Sequence, residues 1–145
     1  MVEAMIAVYK ISQEQVLDYW PEMRDFLEKG LAIFDQHDLV PLDMVLRDLI
    51  LGDAQGWLAT KDDIPICAVA TRVNSYPKGD SVLVWLMGGE DVQSWCATVH
   101  SAIVKYADEI GARWVETNTR RGMGKLFQES LGYKRKHENY LYEVI

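Results

Sequence analysis

Few side chains in this sequence are spaced so that they could do chemistry together. Cys67 and Cys96 sit in apolar runs with no CxxC pair and no neighbouring histidine, so two buried thiols are expected and metal ligation is not. His37, His100 and His137 fall at no metal-ligand spacing, and His100, beside the apolar Val99, reads as a packed ring rather than a base. There is no GxSxG motif, and nothing in the local sequence activates either cysteine as a nucleophile. What remains is charge. Arg120, Arg121, Lys125, Lys134, Arg135 and Lys136 form a basic cluster broken only by Glu129, suited to a phosphate or an acidic partner where it is not simply a solvated surface. Towards the other end Glu14, Asp18, Glu22, Asp25 and Glu28 recur at helical spacing, a carboxylate-rich face for water or a basic partner.

The elements that must position these groups follow from hydrophobic periodicity. Residues 5–11 read as a strand, followed by a capping box at Ser12-Gln-Glu-Gln15. Val16, Tyr19, Trp20, Met23, Phe26 and Leu27 then mark one face of a helix ending near Gly30. A second helix runs from Pro41 or Leu42 to Leu51, with Gly52 as its stop. Strands over 57–60 and 66–73 form a hairpin, and a strand over 81–87, apolar at almost every position, belongs in the centre of a sheet. The Gly88-Gly89 pair ends it. Val92, Trp95, Cys96, Val99, Ile103, Tyr106 and Ile110 form the clearest helical stripe, closed by Gly111 and followed by a strand over 113–117. That strand–helix–strand unit has the length of a right-handed crossover between parallel neighbours. A helix over 124–131 and strands over 133–136 and 140–144 complete the chain, and all five tryptophans are expected in the core.

With 145 residues, 49% hydrophobic and 26% charged, the chain reads as one α/β (α+β) domain over 1–145, without repeat, linker or disordered tract. Its net charge of -7 is uneven: 13 acids to 5 bases over residues 1–70, against 9 to 10 over 71–145. This disfavours nucleic acid, which needs cations to neutralise phosphates, and leaves a protein partner as the expectation. No basic stretch precedes an apolar run at the start, and no segment approaches the ~18 apolar residues of a membrane span, so a soluble cytoplasmic chain is expected.

The element order β-α-α-β-β-β-α-β-α-β-β, together with YADEIGARWVETNT and KLFQESLGYKR, resembles the GNAT superfamily of N-acetyltransferases. In residues the likeness is confined to the stretch from Trp85 to Lys136: a helix ending in Ala107-Asp-Glu-Ile-Gly111, and Leu131-Gly132-Tyr133 in place of the family's Leu-Gly-Phe turn. The resemblance implies a mixed central sheet flanked by helices and acetyl-CoA as cofactor, with no metal. Family members hold the cofactor's diphosphate with a loop of the form Arg/Gln-x-x-Gly-x-Gly/Ala at a helix N-terminus. Here that motif aligns with Asp91 to Cys96, so Ser94 and Cys96 stand where glycines would, and Asp91 replaces the cation or amide. A Cβ obstructs the close approach of backbone to phosphate. A carboxylate repels it, by about 1 kcal/mol at 4 Å in water and about 4 kcal/mol at a protein surface.

On this resemblance the candidate cofactor contacts are Gly88 and Gly89, through their amides in a shifted register, with Ser94 and Arg121. Arg121 stands where the family often has an asparagine on the pantetheine arm, and Gln128 where a tyrosine protonates the leaving thiolate; Gln has no titratable proton to give. The basic cluster would meet the 3′-phosphate of CoA. Glu116, on the strand where a family base faces the acceptor amine, is the general-base candidate, and Trp95 wedged between the fourth and fifth strands would block the cofactor. A narrower resemblance is to small GNAT-like proteins of short-tailed bacteriophages, including an internal virion protein, with an eroded CoA loop; it implies host cytoplasm or virion. The reading these departures favour is a GNAT-fold protein with a degenerate acetyl-CoA site that acts by binding a macromolecule. The alternative is an acetyl-CoA-dependent N-acetyltransferase with an atypical phosphate loop, and a third reading is an inhibitor that docks its acidic N-terminal half on a basic partner.

Overall fold

The computed structural model describes residues 5–33, 41–117, 128 and 131–134. Among them five strands form one sheet in the order β1 (Ile6–Ile11), β2 (Gln55–Lys61), β3 (Ile64–Tyr76), β4 (Gly79–Gly89) and β5 (Trp114–Thr117). β1 to β4 pair antiparallel, and β5 joins β4 in parallel through the crossover helix α3 (Val92–Glu109). Helices α1 (Val16–Ile33) and α2 (Leu42–Leu51) cover the opposite face. The mixed sheet flanked by helices is the α/β arrangement that the element order implied. The expected helix over 124–131 and strands over 133–136 and 140–144 lie wholly or largely outside the described residues.

Each face of the sheet carries its own core. Met23, Leu27 and Leu31 of α1 and Val45 and Leu49 of α2 pack on Leu58, Ala68, Ala70 and Leu86. Trp95, Val99, Ile103 and Ala107 of α3 pack on Trp57, Ala59, Cys67, Val69, Val82 and Val84. Small side chains on β3 let the helices approach closely, and burial at roughly 25 cal/mol per Å² of apolar surface is what holds the layers together. Of the buried polar residues Thr71 is paired twice: Trp57 Nε1 donates to Thr71 Oγ1 at 3.0 Å, and Thr71 Oγ1 donates to Gln55 Oε1 at 2.9 Å, whereas the Thr60 and Ser81 hydroxyls have no partner among the described residues.

Four local expectations are corrected. Ser12 does not cap a backbone amide; its Oγ donates to Gln15 Oε1 at 3.1 Å, and a short 3₁₀ turn over Gln13–Gln15 leads into α1. Helix α1 does not stop at Gly30 but continues to Ile33, because Gly30 is where the helix lies against β4: a Cβ there would come within 3.0 Å of the Met87 carbonyl oxygen. Of the five tryptophans Trp114 is not in the core; it is 41% exposed. Tyr19, expected on the apolar stripe of α1, likewise faces solvent.

Candidate functional site

β4 carries an extra residue. Ala70 pairs with Leu86 and Thr71 with Val84, so Trp85 has no opposite number on β3 and forms a bulge. The bulge exchanges the faces of the strand: Val82 and Val84 lie in the core under α3, whereas Leu86 lies in the core under α1. Trp85 is held by a polar clamp. The Arg72 guanidinium stacks on its ring at 3.9 Å and donates to the buried Asp48 carboxylate from α2. Among the described residues β5 pairs with β4 from Ser81 to Val84, and the outer edge of β4 from Trp85 to Gly89 has no strand partner.

Gly88 and Gly89, expected to cradle phosphate, are packed against neighbouring backbone. Both lie within β4, not beyond it. A Cβ on Gly88 would sit 1.7 Å from the Phe26 carbonyl oxygen of α1, and one on Gly89 would sit 2.4 Å from the Ile66 carbonyl oxygen of β3. These two positions therefore serve the close approach of neighbouring backbone. Ser94 is in the first turn of α3, where its amide and its Oγ both donate to the Asp91 carbonyl, the latter at 2.8 Å. Arg121 lies outside the described residues.

The start of α3 keeps some capacity for an anion. Asp91 caps the helix from a left-handed conformation, φ 53°, without a side-chain cap bond. The amides of Asp91, Val92 and Gln93 have no partner among the described residues, and they point with the positive end of the helix dipole. Two carboxylates flank them, each within 3.5 Å of an ammonium: Glu90 with Lys29 and Asp91 with Lys61. The Trp95 indole is buried in the α3 core and donates to the Glu90 carbonyl at 2.6 Å, which fixes the turn between strand and helix.

Glu116 lies on the other face of the sheet, paired across from Leu83. The Tyr76 hydroxyl contacts both its oxygens, at 3.1 and 2.9 Å, and this bond to the carboxylate raises the tyrosine pKa. No cation pairs with Glu116 among the described residues. From Leu83 to Gly89 the strand advances roughly 20 Å, so a ligand that touches both Glu116 and the start of α3 is long, extended and passes the outer edge of β4. Sequence spacing gave no hint of the Tyr76–Glu116 and Arg72–Asp48 pairs, which are 40 and 24 residues apart.

Between β4 and α3 a cavity of only about 10 Å³ is lined by Val84, Met87, Cys96, Val99, His100, Ile103 and Tyr133. His100 Nδ1 meets the Tyr133 hydroxyl at 3.0 Å, and burial lowers the pKa of the imidazole. Both cysteines are free and buried, and burial raises both thiol pKa values. No group of three or more metal-ligating side chains occurs among the described residues. Between α1 and the start of β3 a broad groove of about 730 Å³ is bordered by Glu22, Asp25, Glu28 and Glu90, with Lys29 and Pro65 among them. No helix among the described residues is long and apolar enough to cross a membrane.

No protein-family model matches the sequence, and no curated protein matches it. Solved structures do. An aminoglycoside N-acetyltransferase in complex with CoA shares 15% identity, with 99% of this chain and 97% of that one covered and a TM-score of 0.67. A predicted acetyltransferase from Clostridium acetobutylicum, with acetyl-CoA, shares 12% identity over 96% of both chains at a TM-score of 0.69. A ribosomal-protein-alanine N-acetyltransferase from Brucella melitensis biovar Abortus 2308 shares 12% identity over 97% of this chain and 99% of that one, at 0.71. The fold is that of the GNAT acetyltransferases. The narrower likeness to phage virion proteins draws no support from these structures.

Proposed function

We propose that this chain is an acetyl-CoA-dependent N-acetyltransferase with an atypical phosphate loop. The observation that carries the reading is the bulge of β4 at Trp85: from there to Gly89 the outer strand edge has no strand partner among the described residues, with an anion-compatible helix start at one end and, at the other, a carboxylate held by Tyr76 and paired with no described cation. Acetyl-CoA fits that layout, being a long ligand with an anionic head, and when bound it supplies an acetyl group activated as a thioester. The amides of Asp91, Val92 and Gln93 would hold the diphosphate, with Lys29 and Lys61 turning from Glu90 and Asp91 towards it. Glu116 accepts the proton that an ammonium acceptor must lose before its nitrogen can attack, and Tyr76 fixes the carboxylate for that task. The neighbours solved with CoA or acetyl-CoA support this reading by fold.

Thiol release from acetyl-CoA in the presence of a panel of amines tests it. Wild-type protein turns over, and Glu116→Gln loses about 10²–10⁴-fold in kcat. Turnover unchanged in Glu116→Gln removes that residue from the mechanism, and none in the wild type with any amine contradicts the activity.

One observation favours a second reading, in which the fold is kept as a scaffold for a macromolecular partner. Glu90 and Asp91 place two carboxylates at the phosphate end, and Glu90 joins Glu22, Asp25 and Glu28 around the groove on α1. A basic protein held there would be lost steeply as salt rises. Salt-tolerant capture, or none, would remove this alternative.

A further inference from the structure

Helices α1 and α2 cover only part of their face of the sheet. Beyond the Arg72–Asp48 clamp the face is a shelf made by Tyr76 at the end of β3 and by Trp114 and Glu116 on β5. Tyr76 is 47% exposed and Trp114 41%, and the two rings meet edge to face at 6.4 Å. Two large aromatic rings left in solvent beside one another, with no role in either core cluster, are a surface that an apolar group can cover. The carboxylate next to them has spare capacity. The Tyr76 hydroxyl supplies one proton to Glu116, a carboxylate offers about four lone-pair sites, and no cation neutralises it among the described residues.

The shelf also limits charge. Arg113 lies with its guanidinium 4.8 Å from the centre of the Trp114 ring and is pinned by donating to the Lys78 carbonyl at 2.9 Å. It packs where Gly79 has no side chain: a Cβ there would fall 2.6 Å from Arg113 Cδ. One side of Trp114 therefore already carries a fixed cation, and a second positive centre on a ligand would meet Arg113 rather than an acid.

We infer that this shelf binds a monocationic primary amine with an aromatic or apolar stem, its ammonium on Glu116 and its stem across Tyr76 and Trp114, and that it excludes polycations. The inference rests on the acetyltransferase reading for its meaning, since it names the acceptor class, but the binding itself needs no cofactor.

The test is titration of the protein alone with phenethylamine, followed by tryptophan fluorescence and calorimetry, alongside phenethyl alcohol as neutral isostere and spermidine as polycation. The amine binds saturably; the alcohol binds about tenfold or more weakly, having lost a charge-assisted bond. Glu116→Gln, which keeps a partner for Tyr76, weakens the amine by a similar factor, and Trp114→Leu weakens amine and alcohol alike. Spermidine binds more weakly than the amine at physiological salt. The inference is overturned by equal binding of amine and alcohol, by an unchanged affinity in Glu116→Gln, by tighter binding of spermidine, or by no saturable binding up to solubility. Separate titration with acetyl-CoA reports on the acetyltransferase reading, so amine binding without cofactor binding, or the reverse, shows which of the two has failed.

Discussion

Replacing Gly88 with alanine distinguishes a packing glycine from a cofactor-binding one. The added Cβ would lie 1.7 Å from the Phe26 carbonyl oxygen and 2.7 Å from its carbonyl carbon, both backbone atoms of α1 that cannot rotate away. Real Cβ contacts do not fall below 3.0 Å, so helix and strand must separate by more than an ångström. That movement draws Met23, Leu27 and Leu31 off Ala68, Ala70 and Leu86. Overpacking alone costs about 1–3 kcal/mol, and loosening a fully buried cluster puts the total near or above the top of that range. At about 2–4 °C per kcal/mol for a chain of this size, a loss of ~3 kcal/mol lowers Tm by roughly 6–12 °C. Gly111→Ala is the control. Nothing lies within 4 Å of its Cβ, so only the strain of a φ of 77° remains, of order 1–2 kcal/mol. Thermal unfolding by circular dichroism reads both. If Gly88→Ala melts with the wild type and instead loses acetyl-CoA binding, the glycine belongs to the cofactor site and the packing argument is wrong.

Two other perturbations follow from buried polar groups. Thr71→Val keeps the shape of a fully buried residue but strands the Trp57 indole N–H and a Gln55 oxygen; denaturant unfolding should show a loss of about 1–3 kcal/mol, and a change below 0.5 kcal/mol would mean that water replaces the hydroxyl. His100 has its pKa lowered by burial, so the unfolded chain binds a proton that the folded one resists. Its contribution is intact above the ordinary histidine value near 6.5, and is lost as pH falls from there through the folded pKa. His100→Gln should flatten that part of the stability profile between about pH 7 and 5; an identical slope in variant and wild type would assign the loss to other groups.

The parts legible in sequence were those fixed by local periodicity. The stripe from Val92 to Ile103 and the apolar run inside β4 each have a single reading, though Ile110, expected at the end of that stripe, is 40% exposed, and α2 keeps the bounds that Pro41 and Gly52 set. Gly30 misled because a glycine near a helix end looks like a stop, whereas here its missing side chain serves a contact with a strand 57 residues away. Gly88 and Gly89 looked like the end of the strand but lie within β4, because a glycine pair carries no mark of which backbone approaches it. Trp114 was placed in the core by residue type, but it lies on the edge strand β5, 41% exposed and outside both core clusters of the described residues. The Tyr76–Glu116 pair and the clamp on Trp85 depend on register across three strands, which no spacing encodes. The choice of Glu116 came from family likeness, and the hydroxyl that positions it came from the structure.

Calorimetric titration with acetyl-CoA and with CoA puts the whole reading at risk. Saturable binding in the micromolar range is expected, weakening with added salt because salt screens the attraction of the diphosphate for Lys29 and Lys61. Glu90→Gln should tighten it several-fold by removing one like charge from the start of α3, and the released Lys29 is then free for the ligand. No heat and no competition at millimolar ligand would contradict it, and would leave the outer edge of β4 as a feature of the scaffold rather than of an active enzyme.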